Sequence, residues 1–433
     1  ELLQVLDPRG VNVYSTQPPS EEERMRPFLW RFWTKTPARG RIAIFDRSWY
    51  GRFLVDKMDT IAGRMPMHKA YEEVNSFERQ LVDDGHVMIK FFLHISQEEQ
   101  RRRFKKLEEN PMTAWRVTDY DWQKHMRYDT YREVTEGMIR ETNTEYAPWH
   151  VISAQDWRFA TVEAFEIIID RVSLRIQELK STEPLPAVQL DPVPESMLAT
   201  SDLSLSLSRK AYDEERKKYQ DRIWELEHEI YRRRLSVVIV YEGWDAAGKG
   251  GNIKRLVRKM DPRGYEVIPV SAPNDVELAH HYLWRFWMKI PKAGHFAIFD
   301  RSWYGRVLVE RVEGLATEYE WKRAYKEINE FEEQLANYGT KLFKFWIDIG
   351  QDMQLNRFED RQETPTKQWK IMEEDWRNRE KWDVYKEAVD DMLWRTNTPY
   401  APWTIVESNC KLYARIKTLK TVTRELEKYL IEY

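Results

Sequence analysis

A single cysteine, Cys410, in 433 residues excludes an internal disulfide framework and suits a reducing, cytoplasmic setting. No apolar run reaches the length of a membrane span, and Glu1-Leu-Leu-Gln at the start has no signal-peptide character. Net charge is almost absent: 69 basic against 72 acidic residues leave −3. Affinity for a phosphate-rich ligand must therefore come from local clustering of charge. The slightly acidic balance and the lack of any reader motif speak against nucleic-acid binding. What is present is 42% hydrophobic and 33% charged residues, the composition of a folded globular chain long enough for two or three domains.

The most informative stretch is Tyr241-Glu-Gly-Trp-Asp-Ala-Ala-Gly-Lys-Gly-Gly251. It follows the apolar run Leu235–Val240 and precedes a helix-like segment, Asn252–Met260. Strand, glycine-rich turn and helix start together cradle phosphate, because main-chain N–H groups and the helix N-terminus point at the anion. Gly243, Gly248 and Lys249 fit G-x-x-x-x-G-K, the Walker A core. Ala246, Ala247, Gly250 and Gly251 complete the candidate cradle. Gly250 stands where the usual loop has a Ser or Thr that binds Mg²⁺, and the loop carboxylate Asp245 is a candidate substitute. The competing reading is a glycine-rich turn with a surface lysine.

The chain also repeats itself. Arg41-Ile-Ala-Ile-Phe-Asp-Arg-Ser-Trp-Tyr-Gly-Arg52 recurs as His295-Phe-Ala-Ile-Phe-Asp-Arg-Ser-Trp-Tyr-Gly-Arg306, an offset of 254 residues. The same offset carries Asp7-Pro-Arg-Gly10 onto Asp261-Pro-Arg-Gly264 and Tyr146-Ala-Pro-Trp149 onto Tyr400-Ala-Pro-Trp403. Tandem duplication of one domain follows. The copies are expected over residues 1–180 and 209–433, joined by a proline-containing linker over 181–208. At this offset the first copy has no counterpart of the glycine loop or its strand. An upstream segment is expected to supply them; otherwise the linker or a partner fills the gap.

In the second copy, Lys254, Arg255, Arg258 and Lys259 make a basic face after the loop. Ser271–Asp275, with Asn274, reads as a loop at a strand's C-terminal end, where open α/β sheets place ligands. Val276–Ile290 reads as a helix. The run His295–Phe299 delivers Asp300 at the place of a Walker B aspartate, followed by Arg301 and Arg306. Asp245 and Asp300 on adjacent strand ends are the candidate Mg²⁺ ligands. A helix over 351–361 carries Arg357 and Arg361, and Lys367 and Lys370 follow. These bases suit a lid closing over a transferred phosphoryl group, against the plainer reading of charged helix surface. A helix over 375–394, a strand over 404–407 and a closing helix over 411–430 complete an α/β unit with a parallel sheet.

Together, Gly243–Gly251, Asp300-Arg-Ser-Trp-Tyr-Gly-Arg306, Thr364-Pro-Thr-Lys-Gln-Trp369 and Asn397-Thr-Pro-Tyr-Ala-Pro-Trp403 resemble the polyphosphate kinase 2 family. The resemblance implies two tandem P-loop kinase-like (thymidylate-kinase-like) three-layer α/β/α domains with a parallel sheet and a helical lid. It implies phosphate transfer between inorganic polyphosphate and nucleotides with Mg²⁺. The tandem arrangement resembles the class that converts AMP to ADP and whose first domain is silent. In line with a silent copy, Lys367, Arg361 and Arg255 become Thr113, Leu107 and Glu1, while Asp46, Arg47, Arg52 and Arg103 are kept. The rival activities are phosphorylation of ADP by polyphosphate and an ATP-dependent nucleoside monophosphate kinase. The non-enzymatic rival is a polyphosphate-binding scaffold. The expected partners are polyphosphate and AMP or ADP, with no nucleic acid, no membrane and room for a homo-oligomer.

Overall fold

The computed structural model describes residues 2–56, 66–181, 187–366, 368–371 and 373–432. They form two compact units. Unit 1 takes residues 1–18, 35–184 and 279–281; unit 2 takes 19–34, 185–278 and 282–433. No helix among the described residues is long and apolar enough to cross a membrane.

In unit 1, strands β1 (Val11–Ser15) and β2 (Ile42–Asp46) pair in parallel, as do β3 (Lys90–His94) and β4 (Trp149–Ser153). No strand among the described residues joins the two pairs. The longer helices are α1 (Met67–Asp83), α2 (Gln97–Glu108), α3 (Tyr128–Thr142) and α4 (Trp157–Lys180). Unit 2 holds β5 (Ser236–Gly243), β6 (Tyr265–Pro269), β7 (Phe296–Asp300), β8 (Thr340–Asp348) and β9 (Trp403–Glu407). They make one all-parallel sheet in the order β6-β7-β5-β8-β9. Its helices are α5 (Arg209–Arg232), α6 (Lys249–Leu256), α7 (Glu318–Tyr338), α8 (Gln351–Glu363), α9 (Glu373–Glu380), α10 (Trp382–Arg395) and α11 (Lys411–Glu432).

β5 lies at the centre of the sheet, which is why its sequence is a near-continuous apolar run. Val237 through Tyr241 are fully buried. The 254-residue offset carries β1–β4 onto β6–β9, and no strand among the described residues of unit 1 corresponds to β5. Exposure differs between the two. Ile42 and Leu93 are 43% and 60% exposed, whereas their counterparts Phe296 and Ile347 are 2% and 0%.

Two expected helices differ. The stretch over 276–290 holds only two short turns, Asp275–Leu278 and Trp284–Trp287. The residues between them, 279–283, are turn and irregular chain, so the helix is not continuous. The helix expected over 375–394 is two helices, broken at Lys381. The Lys381 ammonium there pairs with Glu313 at 2.9 Å.

A buried network anchors the Asp-Arg-Ser-Trp-Tyr segment of each copy. Lys344 Nζ donates to Glu332 Oε2 (2.8 Å), Tyr304 Oη (2.9 Å) and Thr396 O (2.6 Å). Trp303 Nε1 and Tyr304 Oη both donate to Glu332 Oε1. Lys90, Glu78, Tyr50, Trp49 and Thr142 repeat this in unit 1 with nearly the same distances.

Candidate active site

The site is built where β5 ends. Gly243 sits at φ +146°, and a Cβ there would collide with Ile347 O of β8, so only glycine lets the loop leave the sheet. Gly248, at φ +114°, turns the chain into α6. Behind the loop, Arg357 NH1 donates to Ala246 O (3.0 Å) and Ala247 O (2.9 Å), and NH2 donates to Ser408 O and Asn409 O. Ser408 Oγ also donates to Ala247 O at 2.7 Å. With its carbonyls tied back, the loop leads into a first helical turn whose N–H groups lack intrahelical partners.

Lys249 Nζ donates to Gly243 O (2.5 Å) and Trp244 O (3.3 Å). Burial pulls its ammonium below the ordinary lysine value, against the opposing pull of Asp245. Asp245 Oδ1 accepts from Arg301 NH2 (3.1 Å), Oδ2 from Asn378 Nδ2 (2.9 Å), and its carbonyl from Gln354 Nε2 (3.1 Å). Burial alone would raise this carboxyl, but Lys249, Arg301 and the Asn378 amide outweigh it and hold it below the usual range. Glu242, buried at the end of β5, accepts from Ser302 Oγ at 2.8 Å and is pushed up by burial.

Asp300 ends β7. Its Oδ2 lies 3.7 Å from where a Cβ on Gly250 would be. The carboxylate thus borders the position that holds the metal-binding hydroxyl in ordinary loops, and it has no hydrogen-bond or ion-pair partner among the described residues. Arg301 follows in a left-handed conformation, φ 65°, a strain of about 1–3 kcal/mol that such sites tolerate. Beside these groups is an open pocket, with Trp244, Trp382 and Tyr385 as its aromatic wall. Trp382 stacks on Trp244 with centroids 3.9 Å apart and planes 14° apart.

Of the residues expected at the site, Gly243, Asp245, Lys249 and Arg301 line this pocket. Asp300, Ala246, Ala247, Gly248, Gly250 and Gly251 belong to the adjoining loop and strand ends. Others stand elsewhere. Arg357 is not a surface lid base: it is 4% exposed and braces the loop. Arg306 pairs with Glu310 at 3.1 Å and packs over the Tyr282 ring. Asn274 is spent on a local turn, accepting from Glu277 N–H at 3.0 Å. Lys254 is exposed on α6, and Arg361 ends α8 outside the pocket lining. Lys367 and the Lys370 side chain lie outside the described residues. Sequence reasoning missed Glu242, Gln354, Asn378, Trp382 and Tyr385. All but Glu242 are over a hundred residues from the loop, and no local motif marks them.

Among the described residues no group of three or more His, Cys, Asp or Glu side chains converges as a metal site. Asp245 and the unpartnered Asp300 are two carboxylates beside a phosphate loop. That suits Mg²⁺, which takes one or two carboxylates and completes its octahedron with water and phosphate oxygens.

The family model of polyphosphate kinase 2 matches residues 1–180 and 206–432. The chain belongs to the polyphosphate kinase 2 family. A polyphosphate:AMP phosphotransferase of Pseudomonas aeruginosa is 42% identical over 425 residues, covering 98% of this chain and 86% of the relative. One of Acinetobacter johnsonii is 36% identical over 432 residues, covering 99% and 87%. A solved structure described as a polyphosphate kinase 2 of Pseudomonas aeruginosa PA01 superposes with a TM-score of 0.88 at 39% identity, covering all of this chain and 87% of that one. An ADP-polyphosphate phosphotransferase of Rhizobium meliloti is 39% identical over 221 residues, 51% of this chain and 74% of the relative. As a polyphosphate kinase 2, the chain is a phosphotransferase of α/β fold with parallel sheets.

Proposed function

We propose that unit 2 transfers the terminal phosphoryl group of inorganic polyphosphate to AMP, giving ADP, with Mg²⁺. The observation that carries this reading is the meeting of Lys249, Arg301 and Asp245 at one pocket mouth beside the unpartnered Asp300. An AMP phosphate oxygen attacks the terminal phosphorus in line; the new P–O bond forms as the bridging P–O bond breaks, and the chain leaves one unit shorter. The acceptor oxygen is already ionised, so the protein's task is position and charge. Lys249 and the first turn of α6 hold phosphate. Arg301 moves from Asp245 to the equatorial oxygens, where charge develops. Asp245 and Asp300 hold the Mg²⁺, which neutralises phosphate charge when bound. The aromatic wall of Trp244, Trp382 and Tyr385 seats the acceptor base. Unit 1 is the silent copy, and the tandem relatives named as AMP phosphotransferases favour AMP over ADP as acceptor.

The test is incubation with Mg²⁺, polyphosphate and either AMP or ADP, without ATP, followed by chromatography of the nucleotides. ADP formed from AMP, and lost by orders of magnitude in a folded Asp300→Ala variant, is expected. ATP formed from ADP alone overturns the choice of acceptor. Turnover of AMP only after ATP is added overturns the choice of donor.

A further inference from the structure

The segment after the lid region grips the loop at several points. Asn378 Nδ2 donates to Asp245 Oδ2 at 2.9 Å, and Tyr385 Oη donates to Asn378 Oδ1 at 3.2 Å. The carboxylate fixes which way the amide faces, because it can only accept: turned over, the amide would set oxygen against carboxylate, whereas Tyr385 Oη can donate to its oxygen or accept from its NH2. The neighbouring Arg379 acts through Gln354. Its NH1 donates to Gln354 Oε1 (3.3 Å) and Gln351 O (2.7 Å), while Gln354 Nε2 donates to Asp245 O (3.1 Å). Four residues past Asn378, Trp382 lies flat on Trp244. The carboxylate, the carbonyl and the preceding ring of the loop are thus all held from residues 378–382.

The first copy shows what the fold itself requires. Gln100 stands for Gln354 and is held by His125, whose Nδ1 lies 2.8 Å from Gln100 Oε1, as Arg379 holds Gln354. Tyr131 stands for Tyr385. The frame is preserved, but the counterpart of Asn378 is Lys124, whose ammonium lies 4.1 Å from the centroid of the Tyr120 ring. The helix and its surroundings therefore form without an asparagine at that place. Its presence in unit 2 answers to Asp245.

We propose that Asn378 is a positioning residue for the divalent cation. By fixing Asp245 Oδ2 it leaves the cation Oδ1, which Arg301 NH2 holds at 3.1 Å until that guanidinium moves to phosphate, on a carboxylate whose direction is already set. The inference rests on the reading of Asp245 as a metal ligand. Hydrogen bonds that orient a metal's ligands typically account for about 10–100-fold in affinity or activity.

The test uses the full chain and Mn²⁺ alone, with binding followed by loss of the free-ion electron paramagnetic resonance signal. Asn378→Ala is expected to weaken Mn²⁺ binding by about 10–100-fold. Asn378→Lys, which places the side chain of the first copy at this point, is expected to weaken it further, because its ammonium pairs with Asp245. Asp245→Ala is the reference for loss of the ligand. In turnover, the Mg²⁺ concentration for half-maximal rate rises with the Mn²⁺ dissociation constant, while the KM for AMP is held. A merely structural role would lower the thermal midpoint and leave Mn²⁺ binding unchanged. Unchanged Mn²⁺ binding in folded Asn378→Ala and Asn378→Lys, or in Asp245→Ala, overturns the proposal. Failure of the wild-type chain to make ADP from AMP and polyphosphate, with the Mn²⁺ effect intact, overturns the functional reading and leaves this one standing.

Discussion

The buried Lys344–Glu332 pair gives a sharp stability prediction. Both side chains are fully buried and 2.8 Å apart. Lys344→Met keeps the aliphatic stem, so little cavity forms, but it leaves the Glu332 carboxylate with donors on Oε1 only. It also leaves Thr396 O without the Lys344 donor. Removing one partner of a buried ion pair costs about 3–5 kcal/mol. Adding Glu332→Gln removes the stranded charge while keeping an acceptor for Trp303 Nε1 and Tyr304 Oη. The double variant should then recover about 2 kcal/mol, the remaining deficit being chiefly the orphaned carbonyl. Urea unfolding followed by tryptophan fluorescence, with the loss of phosphotransfer recorded in parallel, measures both. Lys90→Met makes the same change in unit 1, against Glu78 at 2.8 Å, and should destabilise a transition that does not carry the activity. A cost under about 1 kcal/mol for Lys344→Met, the range of exposed pairs, would falsify the reasoning. So would a double variant less stable than the single one.

Two further outcomes follow from single positions. Gly243→Ala must accommodate φ +146° and a Cβ against Ile347 O; displacement of the loop by about 1 Å should lower the rate by roughly 10²-fold, and near-normal kcat would show that the close approach is not needed. Glu227 on α5 accepts from Asp261 N–H at 3.0 Å, while its other oxygen is buried without a hydrogen bond. Burial pushes it up to about 7. In the folded state it therefore keeps a proton that the unfolded chain releases near pH 4.5, so its contribution to stability is present below that value and is lost as pH rises through 7. Glu227→Gln should flatten the fall in thermal midpoint between pH 5 and pH 8, and an unchanged slope would exclude this group.

The parts of this architecture carried by local pattern were legible in the sequence. The run Ser236–Gly243 is apolar because the strand is central. The glycines at 243 and 248 are there because the loop's backbone demands them. The 254-residue repeat placed β6–β9 on β1–β4. What local pattern could not carry was long-range pairing. Arg357 has the sequence context of a charged helix surface, yet it is buried under four carbonyls drawn from two other segments. Asn378 and Trp382 sit in a stretch with the period of one amphipathic helix. Lys381, at the break, pairs with Glu313, 68 residues away, and the contacts with Asp245 and Trp244 reach across more than 130 residues. At Asn274 the sequence showed the strand-end position but not the local cap, in which its side chain accepts from Glu277 N–H.

Comparison of the copies separates what the fold needs from what chemistry needs. Arg301 has a strained backbone, but so does Arg47, at φ 60°, so the strain belongs to the turn after the strand and does not by itself mark catalysis. Arg357 braces Ser408 O and Asn409 O, and Arg103 likewise donates to Ala154 O and Gln155 O at the equivalent positions. The Lys–Glu–Tyr–Trp network is common to both. Among the positions that differ are Lys124 for Asn378, His125 for Arg379, Leu107 for Arg361, Thr113 for Lys367 and Glu1 for Arg255. Shared residues that brace the frame, such as Arg357 and the Lys–Glu–Tyr–Trp network, are therefore expected to govern folding of their own unit first and rate second; Asp300 and Arg301, though kept as Asp46 and Arg47, stand at the phosphate loop in unit 2 and are expected to govern rate. Residues present only in unit 2 are expected to govern rate or cation affinity with little effect on stability. Arg361→Leu, which restores the first copy's side chain, applies that division outside the pocket lining: a large loss of stability with unchanged turnover would break it.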